Sequence, residues 1–200
     1  MSAAPQQAID AAPAPVQRYL RHVLAGRATP IQSAELVQQG RLRLDGRSAR
    51  WLPFRARQIV QPPDTAFTWT ADVRMLGPLR LRVVDRLAGG HGSGTVHLGP
   101  LRLARAEPGP ELDAGALHRF LAEAVWFPSA LLPSARLRWT PIDEQRALAT
   151  LSSSAATVSL EFRFNAAGEA IGIHTPARWG RFGSRYEQRP WEGHFAAYES

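Results

Sequence analysis

From Val16 the apolar positions of the chain fall on one helical face: Val16, Tyr19, Leu20, Val23 and Leu24 follow i, i+3, i+4, i+7, i+8 spacing, with Gln17, Arg18, Arg21 and His22 opposite. Pro15 suits the first turn of this helix and Gly26 a stop. The preceding segment, 1–14, is rich in alanine, proline and glutamine, has no sustained period, and reads as a flexible N-terminal segment. Beyond Pro30 the period drops to two. Arg41, Leu42, Arg43 and Leu44 alternate up to Asp45-Gly46, a dipeptide suited to a tight hairpin, and a second strand is expected from Ala49 to Val60. Phe67, Trp69, Ala71, Val73 and Met75 share one face of a third strand, opposite Thr68, Thr70, Asp72 and Arg74. After Gly77-Pro78, Leu79, Leu81 and Val83 alternate with Arg80 and Arg82 until a glycine cluster at Gly89, Gly90, Gly92 and Gly94.

A second helix is expected over Asp113 to Phe127, with Asp113 as N-cap and Leu117, Phe120, Leu121 and Ala124 as its apolar stripe, ending at Pro128. Leu131 and Leu132 add another turn. After Pro133 period two returns at Leu137 and Trp139, at 148–151, and at Val158, Leu160, Phe162 and Phe164. Asn165 to Gly168 makes a turn, Ile171 and Ile173 begin another strand, and the segment 178–198 is compatible with one or two more. Short connections with one-face alternation indicate antiparallel pairing. The expected fold is α+β: a curved antiparallel β-sheet or incomplete β-barrel, with an N-terminal helix and a central helix covering one face. Residues 15–200 are expected to form a single β-rich α+β domain, and no internal repeat is expected.

Composition changes this picture by exclusion. The chain of 200 residues has no cysteine, and all 24 of its Lys+Arg positions are arginine. Disulfides, thiolate nucleophiles, cysteine-ligated zinc, P-loop lysines and Schiff-base lysines are thereby removed. The formal charge of +7 permits attraction to polyanions, but the arginines are scattered from Arg18 to Arg189, which favours an ordinary solvated surface. Nucleic acid is therefore not an expected partner. No transmembrane segment is expected, and the start carries neither a basic n-region nor an apolar h-region, so a cytoplasmic location is expected.

Few motifs carry chemistry. The glycine cluster fits no phosphate loop or nucleophile elbow and is expected to be a flexible hairpin. None of His22, His91, His97, His118, His174 and His194 stands at metal-ligand spacing; the close pair His91 and His97 is read as surface histidine, and no metal or cofactor is expected. In the central helix Arg119, Glu123 and Trp126 fall on one side at helical spacing. They are either a structural i, i+4 ion pair beside an indole or a polar face turned toward a ligand.

The segments Pro15 to Leu20, Trp51-Leu52-Pro53-Phe54, Phe67-Thr68-Trp69 and Asp113 to Pro128 resemble an uncharacterised bacterial domain-of-unknown-function family. Its helix signature R-[FY]-L-x-E-x-x-W-[FY]-P is met by Arg119, Phe120, Leu121, Glu123, Trp126, Phe127 and Pro128. The resemblance implies no reaction. The order of elements is also similar to the half-barrel of periplasmic lipoprotein carriers, an analogy of fold only. The leading expectation is a non-enzymatic binding domain that holds a lipid or other hydrophobic small molecule between a curved sheet and its helices. Phe67, Trp69, Phe120 and Trp126 would line the cavity, Arg119 would meet an acidic headgroup, and Glu123 would orient that arginine. A hydrolase-like or isomerase-like enzyme using Asp85, His91, Glu123 or His118, and a protein-interaction module with a partner the sequence does not identify, are the alternatives.

Overall fold

Two helices open the chain in the computed structural model, which describes residues 3–25, 29–43, 50–183 and 185–196. Helix α1 spans Ala3–Asp10. It lies where a flexible segment is expected, and the physical reason is a single anchor. Ile9 is wholly buried and Ala12 nearly so, too few apolar positions to show a period yet enough to seat one turn on the core. The Asp10 carboxylate accepts from Arg21 at 2.8 Å, and Gln17 Nε2 donates to the carbonyls of Asp10 and Ala12. Helix α2, Ala14–Val23, carries Pro15 in its first turn and buries Val16, Tyr19 and Leu20, as its spacing requires. The expected stop at Gly26 lies outside the described residues.

The first sheet has six strands: β1 Ala34–Leu42, β2 Leu52–Gln61, β3 Ala66–Arg74, β4 Arg80–Ala88, β5 His91–Leu98 and β6 Leu101–Arg105, each antiparallel to the next in chain order. Leu44, the Asp45-Gly46 turn and Ala49 lie outside the described residues. The inward positions of β3 are Phe67, Trp69, Ala71 and Val73, all buried, matching the alternation. In the glycine cluster only Gly89 (φ 59°) and Gly90 (φ 88°) make the turn. Gly92 and Gly94 belong to β5, so the expected hairpin is narrower than the cluster. A Cβ on Gly92 would stand 2.8 Å from the Leu112 carbonyl oxygen, so glycine is what allows the central helix to approach this strand.

That helix, α3, runs Pro110–Glu123 and continues into short 3-10 turns at Ala124–Trp126 and Pro128–Leu131. Gly109, not Asp113, holds the N-cap position. Asp113 is buried in the first turn, where its carboxylate accepts the Gly92 N–H at 2.7 Å and meets His91 Nδ1 at 3.1 Å. It ties the helix to β5 instead of capping it.

The second sheet has five strands, β7 Leu137–Pro141, β8 Arg146–Ser152, β9 Thr157–Phe164, β10 Ala170–Phe182 and β11 Arg185–His194, in the order β11-β10-β9-β8-β7. The fold is thus α+β with antiparallel sheets covered by helices, but the strands divide between two open sheets and neither closes into a barrel. Helix α3 contacts β4 and β5 of the first sheet and β9 and β10 of the second. Its stripe Leu117, Phe120 and Leu121 enters the same core as Leu87, Phe162 and Phe164.

One expectation fails at short range. Leu76-Gly77-Pro78-Leu79-Arg80-Leu81 recurs as Leu98-Gly99-Pro100-Leu101-Arg102-Leu103, and the two copies form the β3–β4 and β5–β6 turns. Gly77 (φ 61°) and Gly99 (φ 56°) occupy the position where a tight hairpin uses the positive φ that glycine adopts without strain.

Candidate functional site: an arginine-lined cleft

The polar side of α3 faces the inner surface of the first sheet, where a chain of hydrogen bonds runs across five elements. Trp69 Nε1 donates to Gln38 Oε1 (2.7 Å), Gln38 Nε2 to Gln58 Oε1 (3.0 Å), and Gln58 Nε2 to Glu123 Oε2 (2.6 Å). The other Glu123 oxygen accepts Arg119 Nε at 2.8 Å, and Arg119 Nη1 donates to Asp85 Oδ2 at 3.1 Å. Gln58 is wholly buried, so an unfilled bond would be costly; here both ends of its amide are used. The Arg119 guanidinium lies over the rings of Trp69 (4.6 Å) and Phe67 (5.1 Å). Two carboxylates and two aromatic faces thus hold one cation in place, with its remaining N–H groups left for the space in front of it.

That space is a cleft of about 460 Å³ between α3, β4, β5 and β10. It brings Arg119 together with Arg178 of β10, with Asp85, Tyr186 and Glu111, and with apolar walls from Phe67, Trp179 and Phe182. Gly115 allows the cleft its shape, because a Cβ there would stand 2.8 Å from the Trp179 carbonyl oxygen and push α3 off β10.

Arg178 is held quite differently from Arg119. Its guanidinium stacks on Trp191 at 4.2 Å and reaches the Gly115 carbonyl at 3.5 Å. Its Nε is buried without a hydrogen-bond partner, and among the described residues it has no ion pair. Burial, and then the neighbouring Arg119 charge, push its pKa down to about 10. Asp85 shifts the opposite way: removal from bulk water raises its carboxyl above the usual range, against the pull of Arg119. With a side chain 41% exposed, Asp85 sits in a recess open to water, so its desolvation is that of a concave wall and not of a dry core. Burial also raises the Tyr186 phenol, which therefore remains a donor through neutral pH.

Of the residues singled out in the sequence, Phe67, Trp69, Arg119 and Glu123 are brought together. Phe120 points elsewhere. It packs on Phe127 at 5.4 Å and lines a different hollow of about 520 Å³, with Ile31, Leu132, Leu137 and Leu151. Trp126 lies in the turn after α3 with 49% of its surface exposed and lines neither space. The departure from helical spacing at Ala124 is what carries it off the Arg119 side. Among the acid–base candidates, Asp85 and Glu123 both bind Arg119, His91 binds Asp113, and His118 Nε2 meets the Ser159 carbonyl at 3.2 Å on the second-sheet side. His91 and His97 are six residues apart on β5, about 20 Å along an extended strand, too far to share an ion. No group of three or more His, Asp or Glu suited to a metal ion occurs among the described residues. Arg178 and Tyr186 lie in the arginine- and aromatic-rich segment 178–198, but their places in the cleft depend on how the second sheet packs.

The fold and site define a class: an α+β protein of two open antiparallel sheets, with a polar cleft beside the central helix that is rich in arginine and walled by aromatic rings. Within it, the chain belongs to a family of unknown function, DUF6544, whose model matches residues 2–200. Comparison with curated proteins gave no match. No helix among the described residues is long and apolar enough to cross a membrane.

Proposed function

We propose that the protein is a non-enzymatic binding domain and that the cleft holds a lipid-like small molecule through its acidic group. The observation that carries this reading is Arg178, a largely buried cation whose Nε has no partner, facing a second arginine across a space of ligand size. Two like charges in a recess raise each other's cost, and an anion between them lowers it for both. A carboxylate or phosphate would accept from Arg119, Arg178 and the Tyr186 hydroxyl, while Phe67, Trp179 and Phe182 cover the adjoining apolar part. Glu123 serves as the group that orients Arg119, and Asp85 completes that orientation.

Asp85 and Glu123 are both engaged by Arg119 and the histidines are dispersed, which favours binding over acid–base catalysis. Native mass spectrometry of freshly purified protein, followed by denaturing extraction, tests the reading. An adduct with the mass of an acyl-chain acid or phosphate, lost in Arg178→Met, is the expected result. A mass that remains that of the bare chain after incubation with fatty acids and phospholipids would overturn it.

A further inference from the structure

The repeated Leu-Gly-Pro-Leu-Arg-Leu segments stand side by side at one end of the first sheet. Strands β3 to β6 pair in sequence and antiparallel, so the β3–β4 and β5–β6 turns emerge at the same end, two strand spacings or about 10 Å apart. The paired ends of β1 and β2 at Leu42 and Leu52 belong to that end too, and beside them the Trp51 ring lies under the Arg43 guanidinium at 4.5 Å. The turns present apolar side chains to solvent: Leu76 is 75% exposed and Leu101 60%, with Leu79, Leu103 and Trp51 close to half exposed.

Arginine surrounds them. Arg41, Arg74, Arg80, Arg82 and Arg102 occupy exposed positions of the strand ends, and register sets Arg74 against Arg80. Two like charges opposite one another weaken a sheet, so this arrangement is not explained by strand pairing. Within these strand ends and turns, among the described residues, Asp72 is the one carboxylate, and it is bound to Arg82 at 3.3 Å. Scattered arginines in the sequence have become one basic end bearing leucine tips.

We infer that this end docks on the surface of a bilayer containing anionic phospholipid, with the leucines and Trp51 entering the headgroup boundary and the arginines meeting phosphates. Charge complementarity selects the occupant. A polyanion such as nucleic acid would satisfy the arginines but leave the leucine tips without a role, whereas a bilayer interface takes both. The inference needs no ligand in the cleft, and Arg178→Met is expected to leave docking unchanged.

The experiment is co-sedimentation of the full chain with vesicles of phosphatidylcholine alone or mixed with phosphatidylglycerol, at low and high salt. Binding is expected only with phosphatidylglycerol present and is expected to weaken with salt. The pair Arg80→Gln, Arg102→Gln should reduce affinity at least tenfold, at about fivefold per charge near a membrane surface. Leu76→Asp with Leu101→Asp should abolish binding while thermal unfolding stays as in the wild type. Absence of binding to the mixed vesicles, or binding untouched by the leucine changes, would overturn the inference. So would an RNA or DNA duplex that binds wild type and leucine variant equally and displaces both from vesicles, since it would assign the end to a polyanion.

Discussion

Helix α3 meets the two sheets on opposite terms. Toward the first sheet, both carboxylate oxygens of Glu123 are engaged, Gln58 is bonded at both ends of its amide, and Arg119 has two carboxylate partners and two aromatic rings. Toward the second sheet, Arg178 Nε is buried with no hydrogen-bond partner. A satisfied network fixes geometry, and unsatisfied groups beside a cleft are free energy that a ligand or a proton can recover. The first side builds a fully bonded wall and the second holds a cation with an unpartnered Nε.

The comparison breaks most visibly at Glu123. Glu123→Ala removes the acceptor of Arg119 Nε and of Gln58 Nε2 together, leaving a part-buried cation and a buried amide without partners. Arg119 and Glu123 side chains are 18% and 15% exposed, which places the loss near the lower end for a broken buried pair, about 3 kcal/mol. Urea unfolding checks it, and a loss under about 1 kcal/mol would show that the wall is not held by this network.

How much of this contrast was readable beforehand follows the range of the interactions. The Arg119–Glu123 pair is four residues apart on one helix, and strand β3 alternates almost without exception, so both were legible from local periods. Helix α1 was not, because its burial rests on Ile9 and Ala12 and two residues make no period. Strand β5 was obscured by Gly92 and Gly94, the first needed for close approach of α3, which remove the apolar alternation that marks a strand. The Leu-Gly-Pro-Leu-Arg-Leu repeat was present in the letters, but six residues repeated once carry weight only when both copies prove to be turns at one sheet end. Arg178 reaches Arg119 from 59 positions away across two sheets, a distance no local pattern encodes.

On the second-sheet side His118 is expected to make stability depend on pH. Burial, with the nearby Arg178 charge, lowers its pKa below the ordinary histidine value, partly offset by backbone hydrogen bonds at Ser159 and Ala114. The contribution is therefore present above the unfolded value of about 6.5 and is lost as pH falls from there toward the folded value, where the unfolded chain binds a proton the folded chain resists. A slope of up to about 1.4 kcal/mol per pH unit below pH 6.5 is expected in denaturant titrations, and His118→Asn should flatten it. An unchanged slope in that variant would mean that groups other than His118 set the pH dependence.

Arg178→Met should act with the opposite sign to Glu123→Ala. At neutral pH both folded and unfolded chains hold the Arg178 proton, so the whole burial cost is present and would be relieved only as pH rises past about 10. Removing the charge while keeping an apolar stem against Trp191 should raise stability by roughly 1 kcal/mol and should abolish capture of an acidic ligand. Lower stability would place Arg178 among the structural groups and remove the contrast between the two sides.

The finest test asks how far the first wall extends. Trp69→Phe keeps an aromatic face under Arg119 but deletes the Nε1–H that Gln38 accepts, leaving one acceptor of the chain to find water near β1. A loss of about 1 kcal/mol is expected from that bond alone. If the network behaves as one unit, the loss should shrink in a Glu123→Ala background, because Gln58 and Gln38 are then free to reorient, giving a coupling of at least about 0.5 kcal/mol. Additive losses would mean that Trp69 and Glu123 stabilise the wall separately, and that Arg119 owes its position to its two carboxylates and to ring stacking without help from the glutamines behind them.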